Sequence, residues 1–299
     1  MFANISRLIK QITSISNPEL WFYSFGLYLF GFILAVALFP NHPTVPLWQF
    51  ILYFLWMVSA GMVFGLSHHK ESAKFIFPWE ILFIAFRYLT TGKRQKIITR
   101  GDPNVNIATA ISSIYVLLFI LANGIFPNVK ILFLGLGFFV ADFLYNSRHV
   151  NGKFRPFIDV LLGGVYGISL FIGYVAVTGK WPDILLIIAS ILYCVALEAH
   201  SRTIEVHSEH LKDKNTSMTV LGKEKLLFTS IILIVLCGAI LASYNILYFL
   251  MVIPFLAIFI LSLLAKNREE MLKIYNKIFF IHTFLAFFVI SYFFATSPF

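Results

Sequence analysis

The chain has 299 residues, of which 59% are hydrophobic and only 12% are charged. Soluble domains average about 45–50% apolar and about 25% charged residues, so this composition excludes an ordinary soluble domain and indicates a polytopic membrane protein. The formal net charge of +9 does not indicate nucleic-acid binding, because the basic residues follow the membrane topology described below.

Nine apolar runs predict an all-α fold of nine transmembrane helices within a single domain that covers residues 1–299. Each run has close to the roughly 20 residues that are needed to cross a bilayer core of about 30 Å. In chain order, the predicted spans are about 20–39, 46–66, 107–126, 129–147, 156–177, 181–200, 225–243, 245–265 and 276–296. A short amphipathic segment precedes the first span. The apolar stretch 75–86 is too short to cross the bilayer, so we expect it to be interfacial or re-entrant.

The distribution of lysine and arginine predicts the orientation of these spans. With the N-terminus in the cytoplasm, every basic residue except Lys130 and Lys180 falls on the cytoplasmic side. Cytoplasmic loops of membrane proteins are enriched in these residues. We therefore expect a multi-pass protein with a cytoplasmic N-terminus, in a prokaryotic cell membrane. The connections on the other side are short, so functional chemistry is expected at the cytoplasmic mouth.

Carboxylates recur every four residues after the sixth span, at Glu205, Glu209 and Asp213. If the helix continues past the membrane surface, all three project from one face. Like charges at this spacing destabilise a helix, and a bound Mg²⁺ would remove that repulsion. The alternative is a solvated helix end that Lys212 and Lys214 neutralise.

A basic cluster joins the fourth and fifth spans. Arg148, Lys153 and Arg155 precede a helix that is expected to start near Pro156. Cations beside a helix N-terminus favour a phosphate site. The alternative is the ordinary positive charge of a cytoplasmic loop.

Histidines and two carboxylates within the spans allow further interpretations. Six of the eight histidines lie at the mouth, which brings membrane di-iron oxygenases into consideration, although the ligand spacing is incomplete. Asp142 and Glu198 lie near the ends of spans four and six. A carboxylate within a membrane span is costly, so each either has a function or extends toward the interface.

Taken in order, these clusters resemble the UbiA superfamily of intramembrane prenyltransferases, and most nearly its lycopene-elongase-like branch. The opening Pro18–Gly31 looks like that branch's first helix, and the stretch Lys153-Phe-Arg-Pro-Phe-Ile-Asp159 looks like its basic Arg-Pro-x-x-Asp turn. The segment 199–209, which is followed by Thr219-Val-Leu-Gly222, looks like the second Asp-rich motif and the Leu-Gly that closes it.

The resemblance implies nine helices around a central cavity, with two motifs that hold Mg²⁺ on a prenyl diphosphate. Ionisation of the diphosphate gives an allylic cation, which a lipophilic acceptor such as a carotenoid captures. Membrane lipid surrounds the protein, and homo-oligomerisation is left open.

The resemblance also implies roles for individual residues. Glu205 and Glu209 would hold the metal–diphosphate group, with Asp213 nearby. Lys153 and Arg155 would contact phosphate oxygens, and Asp159 would orient them. The rest of the implied set comprises Glu71 and His68 for the first metal site, and Tyr145, Arg148 and Arg202 for the diphosphate.

The chain departs from the family pattern in both motifs. The second has glutamate in place of aspartate. In the first, the matching positions are Ser67, His68, Glu71 and Phe75, so only Glu71 keeps a carboxylate. These departures leave two alternatives open, a terpene cyclase of the same fold and a non-catalytic lipid-binding member.

Overall fold

A computed structural model describes residues 2–16, 18–39, 45–67, 74–91, 102–147, 150, 155–205, 216–244, 249, 252–267, 269–271, 273–274 and 277. The fold is all-helical over these residues. The helices are α1 Phe2–Ser16, α2 Pro18–Leu38, α3 Leu47–Ser67, α4 Pro78–Thr91, α5 Pro103–Ile125, α6 Val129–Asn146, α7 Ile158–Gly164, α8 Ile168–Thr178, α9 Ile184–Glu205, α10 Ser217–Leu221, α11 Lys223–Tyr244 and α12 Ile253–Leu264.

Five of these helices are long and apolar enough to cross a membrane: α3, α5, α6, α9 as far as Thr203, and α11. Shorter apolar helices cover Ser24–Val36, Ile168–Thr178 and Ile253–Leu264, within or near three further predicted spans. The last predicted span, 276–296, lies outside the described residues apart from 277. The prediction of membrane-spanning helices is confirmed, and the number of nine is not.

The predicted fifth span, 156–177, is wrong as a single helix. The chain forms α7, a 3₁₀ turn at Val165–Gly167 and then α8. Glycines at the break allow a close approach to α9, because a Cβ on Gly164 would lie 2.6 Å from Val195 and one on Gly167 would lie 2.9 Å from Cys194. An interruption at membrane depth is tolerated where it is buried in protein.

The apolar stretch 75–86 overlaps α4, which is too short to span. Its 14 residues would reach about 21 Å at 1.5 Å per residue, against a bilayer core of about 30 Å. Trp79 packs edge-to-face on Phe143 of α6, with ring centroids 5.0 Å apart. Phe83 and Phe86 follow Trp79 at spacings of four and seven residues, so they lie on the same face of α4, and both are exposed. An apolar face beside charged residues such as Glu80 and Arg87 is typical of an interfacial segment.

Helices α2 and α8 pack closely because each has a glycine at the crossing. A Cβ on Gly31 would lie 1.9 Å from the carbonyl oxygen of Leu170, and a Cβ on Gly173 would lie 2.1 Å from that of Tyr28. The Ser24 and Ser169 hydroxyls lie 3.1 Å apart at the same interface. Small residues and interhelical hydrogen bonds are the usual means of helix association in membranes.

The close crossing predicts that Gly173→Ala will destabilise the protein. The added methyl group overlaps the α2 backbone, so the helices must separate, at a cost of about 1–3 kcal/mol typical of overpacking. Thermal unfolding in detergent measures the loss. Gly124→Ala is the matched control, because a Cβ there meets nothing within 4 Å. Equal melting temperatures for the two variants would contradict this account of the crossing.

Candidate active site at the basic end of the bundle

The helix ends form two groups, one at each end of the bundle, and the distribution of lysine and arginine predicts which of the two is cytoplasmic. At one end, the Lys130 ammonium donates to the carbonyl of Gly179 (2.5 Å), and the Tyr244 hydroxyl donates to Asp183. At the other end, the Lys223 ammonium donates to the carbonyl of Ala265 (2.7 Å). We call this second group the basic end, because the predicted cytoplasmic loops that carry most of the lysine and arginine residues attach there. It comprises the ends of α3, α6, α9 and α12 and the starts of α7 and α11.

Asp159 joins two segments at the basic end. Its buried carboxylate accepts hydrogen bonds from the backbone N–H of Ser217 (2.9 Å) and of Val160 (2.9 Å). The Ser217 hydroxyl also donates to it and accepts from the Phe157 N–H at 2.6 Å. The start of α7 is thereby fixed to the start of α10.

The Asp159 contacts bear on the predicted role of this residue. From the resemblance, we expect Asp159 to orient Lys153 and Arg155. Arg155 has an exposed side chain, and its carbonyl accepts from the Asp159 N–H at 3.0 Å. Lys153 lies outside the described residues, so the orientation of Lys153 stays a prediction. The link to α10 was not anticipated.

The backbone beside Asp159 is strained. Phe157 has a φ of +68°. Among the residues that the structure describes, it is the one non-glycine residue in the left-handed region. Such a conformation costs of order 1–3 kcal/mol and persists where the surroundings enforce it. Here the Ser217 hydroxyl holds the Phe157 N–H, so the turn that carries Arg155 has a defined shape.

Arg202 and Tyr145, both predicted to bind diphosphate, are in contact. The Arg202 guanidinium carbon lies 5.4 Å from the centre of the Tyr145 ring, within cation–π range. Two of the Arg202 nitrogens lie 2.9 and 2.7 Å from one oxygen of the Glu198 carboxylate. All three side chains are buried. A buried cation beside a carboxylate and an aromatic face therefore links α9 to α6 at the basic end.

Neither of the carboxylates noted within the spans extends toward the interface. Glu198 is 1% exposed, and Asp142 is 6% exposed and accepts a hydrogen bond from Asn146 at 2.7 Å. Both lie inside the bundle, so the interfacial interpretation is wrong for each. Burial of a carboxylate within an apolar bundle favours a functional role.

His200, one of the mouth histidines, packs between helices. Its Nε2 lies 2.7 Å from the Ser262 hydroxyl of α12, and its ring stacks on Phe259 at a centroid distance of 4.8 Å. No group of three His, Cys, Asp or Glu residues that could hold a metal ion occurs within the described ranges. These contacts do not support the di-iron alternative at His200.

Helix α9 extends as far as Glu205, which supports the predicted continuation past residue 200. The remaining predicted site residues lie outside the described part of the chain: His68, Glu71, Arg148, Lys153, Glu209 and Asp213. Their roles stay predictions.

Comparison with known proteins identifies the class. The profile of the UbiA prenyltransferase family matches residues 89–295. The chain therefore belongs to the UbiA prenyltransferase family, a class of membrane prenyltransferases, as the sequence motifs indicated.

Individual relatives agree with this assignment. A lycopene elongase/hydratase from Haloarcula japonica is 24% identical over 219 residues, covering 72% of this chain and 68% of that protein. The structure of a UbiA homolog from Archaeoglobus fulgidus bound to GPP and Mg²⁺ has a TM-score of 0.60 at 14% identity, covering 94% of this chain and 99% of that chain. The apo structure of a UbiA homolog from Aeropyrum pernix K1 has a TM-score of 0.56 at 16% identity, covering 89% and 96%. The two structures show that the fold is shared.

The buried ion pair predicts a large loss of stability for Glu198→Ala. The change removes the carboxylate beside a buried guanidinium, which costs about 3–5 kcal/mol in comparable sites. Thermal or denaturant unfolding in detergent measures it. The double variant Glu198→Leu/Arg202→Met should recover most of the loss, because it removes both charges.

The matched control is Glu269→Ala. Lys273 and Glu269 have the same spacing of four residues and lie 3.2 Å apart, but both side chains are more than 70% exposed. Exposed pairs of this kind contribute at most about 0.5 kcal/mol. Equal effects of the two alanine variants would contradict a special role for the buried pair.

Proposed function

We propose that the chain is an intramembrane prenyltransferase that moves an isoprenyl group from a prenyl diphosphate to a lipophilic acceptor. One observation carries the proposal: Arg202 and Tyr145, both predicted to contact diphosphate, touch each other at the basic end, next to an interior rich in aromatic side chains. Arg202 lies on Tyr145, and the strained turn that carries Arg155 is fixed to α10 by Asp159 and Ser217. An anionic head group and an apolar chain therefore each have a matching environment.

The packing next to the basic end supports this arrangement. Val160 of α7, Val195 and Ala199 of α9, Met218 of α10 and Leu226 of α11 form one buried cluster. It packs α7, which begins three residues after Arg155, against α9, which ends at Glu205. We propose that Lys153 and Arg155 contact phosphate oxygens from the loop, with Arg148 alongside. Cations placed in advance stabilise the charge of the departing diphosphate.

The carboxylates at this end suit Mg²⁺ to different degrees. Asp159 is engaged by three hydrogen bonds and Glu198 by Arg202, so neither is offered as a metal ligand. Glu205 ends α9, and Glu209 and Asp213 follow at intervals of four residues, which provides the hard oxygen donors that Mg²⁺ prefers. Glu71 and His68 would contribute the reduced first site. Mg²⁺ bound there would offset diphosphate charge and assist its departure.

The acceptor and the topology complete the proposal. The relative from Haloarcula japonica is a lycopene elongase/hydratase, which supports a carotenoid acceptor here. Structures of the Archaeoglobus fulgidus homolog with GPP and with DMAPP support a prenyl diphosphate donor. We also propose nine spans around a central cavity, with the N-terminus in the cytoplasm of a prokaryotic cell.

The metal assignment predicts that Glu205→Gln will lose turnover. Removing one preorganised electrostatic contact costs roughly 10²–10³ in rate. The measurement is diphosphate release from a labelled prenyl diphosphate by protein in lipid with Mg²⁺. Binding of the apolar acceptor should change little, because the substitution lies at the polar end.

Glu224→Gln is the control for this variant. Glu224 is an exposed glutamate in the first turn of α11, at the same end of the bundle. It should release diphosphate at the original rate. Unchanged Mg²⁺-dependent turnover in Glu205→Gln would contradict the assignment and leave the carboxylates as a solvated helix end.

A further inference from the structure

A small cavity lies between α3, α4, α5 and α6. Its volume is about 10 Å³, and its lining comprises Ala60, Val63, Pro78, Tyr115, Phe138 and Asp142. A buried water requires a cavity of about 10–15 Å³ and at least two polar partners. The cavity has the volume of one water, and its two polar side chains are Tyr115 and Asp142.

The Tyr115 side chain favours an occupant in this cavity. The residue is 3% exposed, and its hydroxyl makes no hydrogen bond within the described part of the chain. The Trp56 indole N–H lies beside it without hydrogen-bonding geometry. A buried polar group that is left unsatisfied is destabilising, and one water in the cavity would satisfy the hydroxyl.

Aromatic rings form a cluster beside Tyr115. Tyr115 and Phe139 have ring centroids 5.2 Å apart, Phe119 and Phe139 are 5.0 Å apart, and Trp56 and Phe119 are 5.4 Å apart. The faces of such rings carry partial negative charge and attract cations, most strongly where water is excluded. The carboxylate therefore borders an environment that suits a transient carbocation.

The position of Asp142 along α6 relates the cavity to the basic end. Asp142 and Tyr145 are three residues apart on one helix, so their side chains share a face. Tyr145 contacts Arg202, where the diphosphate is proposed to bind. Asp142 is one turn further from that end, between the proposed leaving-group site and the aromatic interior.

We propose that Asp142, through a water held by Tyr115, accepts the proton that the coupled product loses. The inference rests on the proposed function. The C–O bond of the prenyl diphosphate breaks, and its electron pair leaves with the diphosphate. A π bond of the acceptor supplies the electrons of the new C–C bond, which places positive charge on the neighbouring acceptor carbon.

The proton transfer completes this sequence. A C–H bond next to the cationic carbon breaks, and its electron pair forms a C=C bond. The proton passes to the water, which transfers a proton to the Asp142 carboxylate, and Asp142 later releases it to solvent. Tyr115 is a positioning residue in this scheme.

The test is Asp142→Asn in lipid, with labelled prenyl diphosphate, Mg²⁺ and a panel of carotenoid acceptors. Loss of a general base lowers the proton-transfer rate by about 10²–10⁴. Coupled product should therefore fall by about 100-fold or more. Diphosphate release should fall much less, because ionisation takes place at the basic end. The coupled cation, left without a base, loses its new C–C bond and returns the acceptor and the allylic cation. Water then adds to the allylic cation and loses a proton to solvent, which gives a prenyl alcohol. The ratio of diphosphate released to coupled product should rise.

Further variants distinguish proton transfer from a structural role. Asp142→Glu should restore part of the coupling, and Tyr115→Phe should raise the same ratio by less than Asp142→Asn does. Asp183→Asn, a carboxylate-to-amide change at the opposite end, should leave the ratio unchanged. Melting temperature and prenyl diphosphate binding establish that each variant is folded. If Asp142→Asn does not fold, the Tyr115→Phe ratio decides.

The outcomes separate this inference from the proposed function. If folded Asp142→Asn loses coupling and diphosphate release in the same proportion, or loses neither, the proton-acceptor role is overturned while prenyl transfer stands. If the unaltered protein releases no diphosphate from any donor, the proposed function itself fails.

Discussion

The burial of charge inside an apolar bundle is the constraint on which the rest of the structure depends. An ion transferred from water into a protein interior costs several kcal/mol unless a partner offsets it. Glu198 holds Arg202 on α9, and Arg202 reaches the ring of Tyr145 on α6. Asp159 on α7 is held by Ser217 on α10. Arg202 and Asp159 therefore each fix one helix against another, and together these contacts define the basic end where the polar motifs lie.

Close backbone approach is the second constraint, and it sets the position of α7 and α8. The glycines of the break let α7 and the 3₁₀ turn lie against α9, while Gly173 lets α8 lie against α2. The start of α7, with Asp159 in its first turn, lies at the same end of the bundle as the last turn of α9.

Much of this architecture could be predicted from the sequence, because apolar runs and loop charges follow directly from the properties of a bilayer. The extension of α9 could also be predicted, from carboxylates at helical spacing. The break at 165–167 could not, since its cause is packing against α9. The partner of Asp159 is 58 residues away along the chain, and no spacing rule identifies it. The Glu198–Arg202 pair, in contrast, has the spacing of four residues that a helical interpretation could have recognised.

The most direct test of the account is product analysis with the unaltered protein in lipid bilayers, supplied with labelled prenyl diphosphates of several chain lengths, with and without carotenoid acceptors. The account predicts diphosphate release that requires Mg²⁺, together with a labelled coupled product that forms only when an acceptor is present. A cyclic hydrocarbon or alcohol formed from the diphosphate alone would contradict the transferase and identify a cyclase. The absence of Mg²⁺-dependent turnover across the whole panel would contradict catalysis at this site.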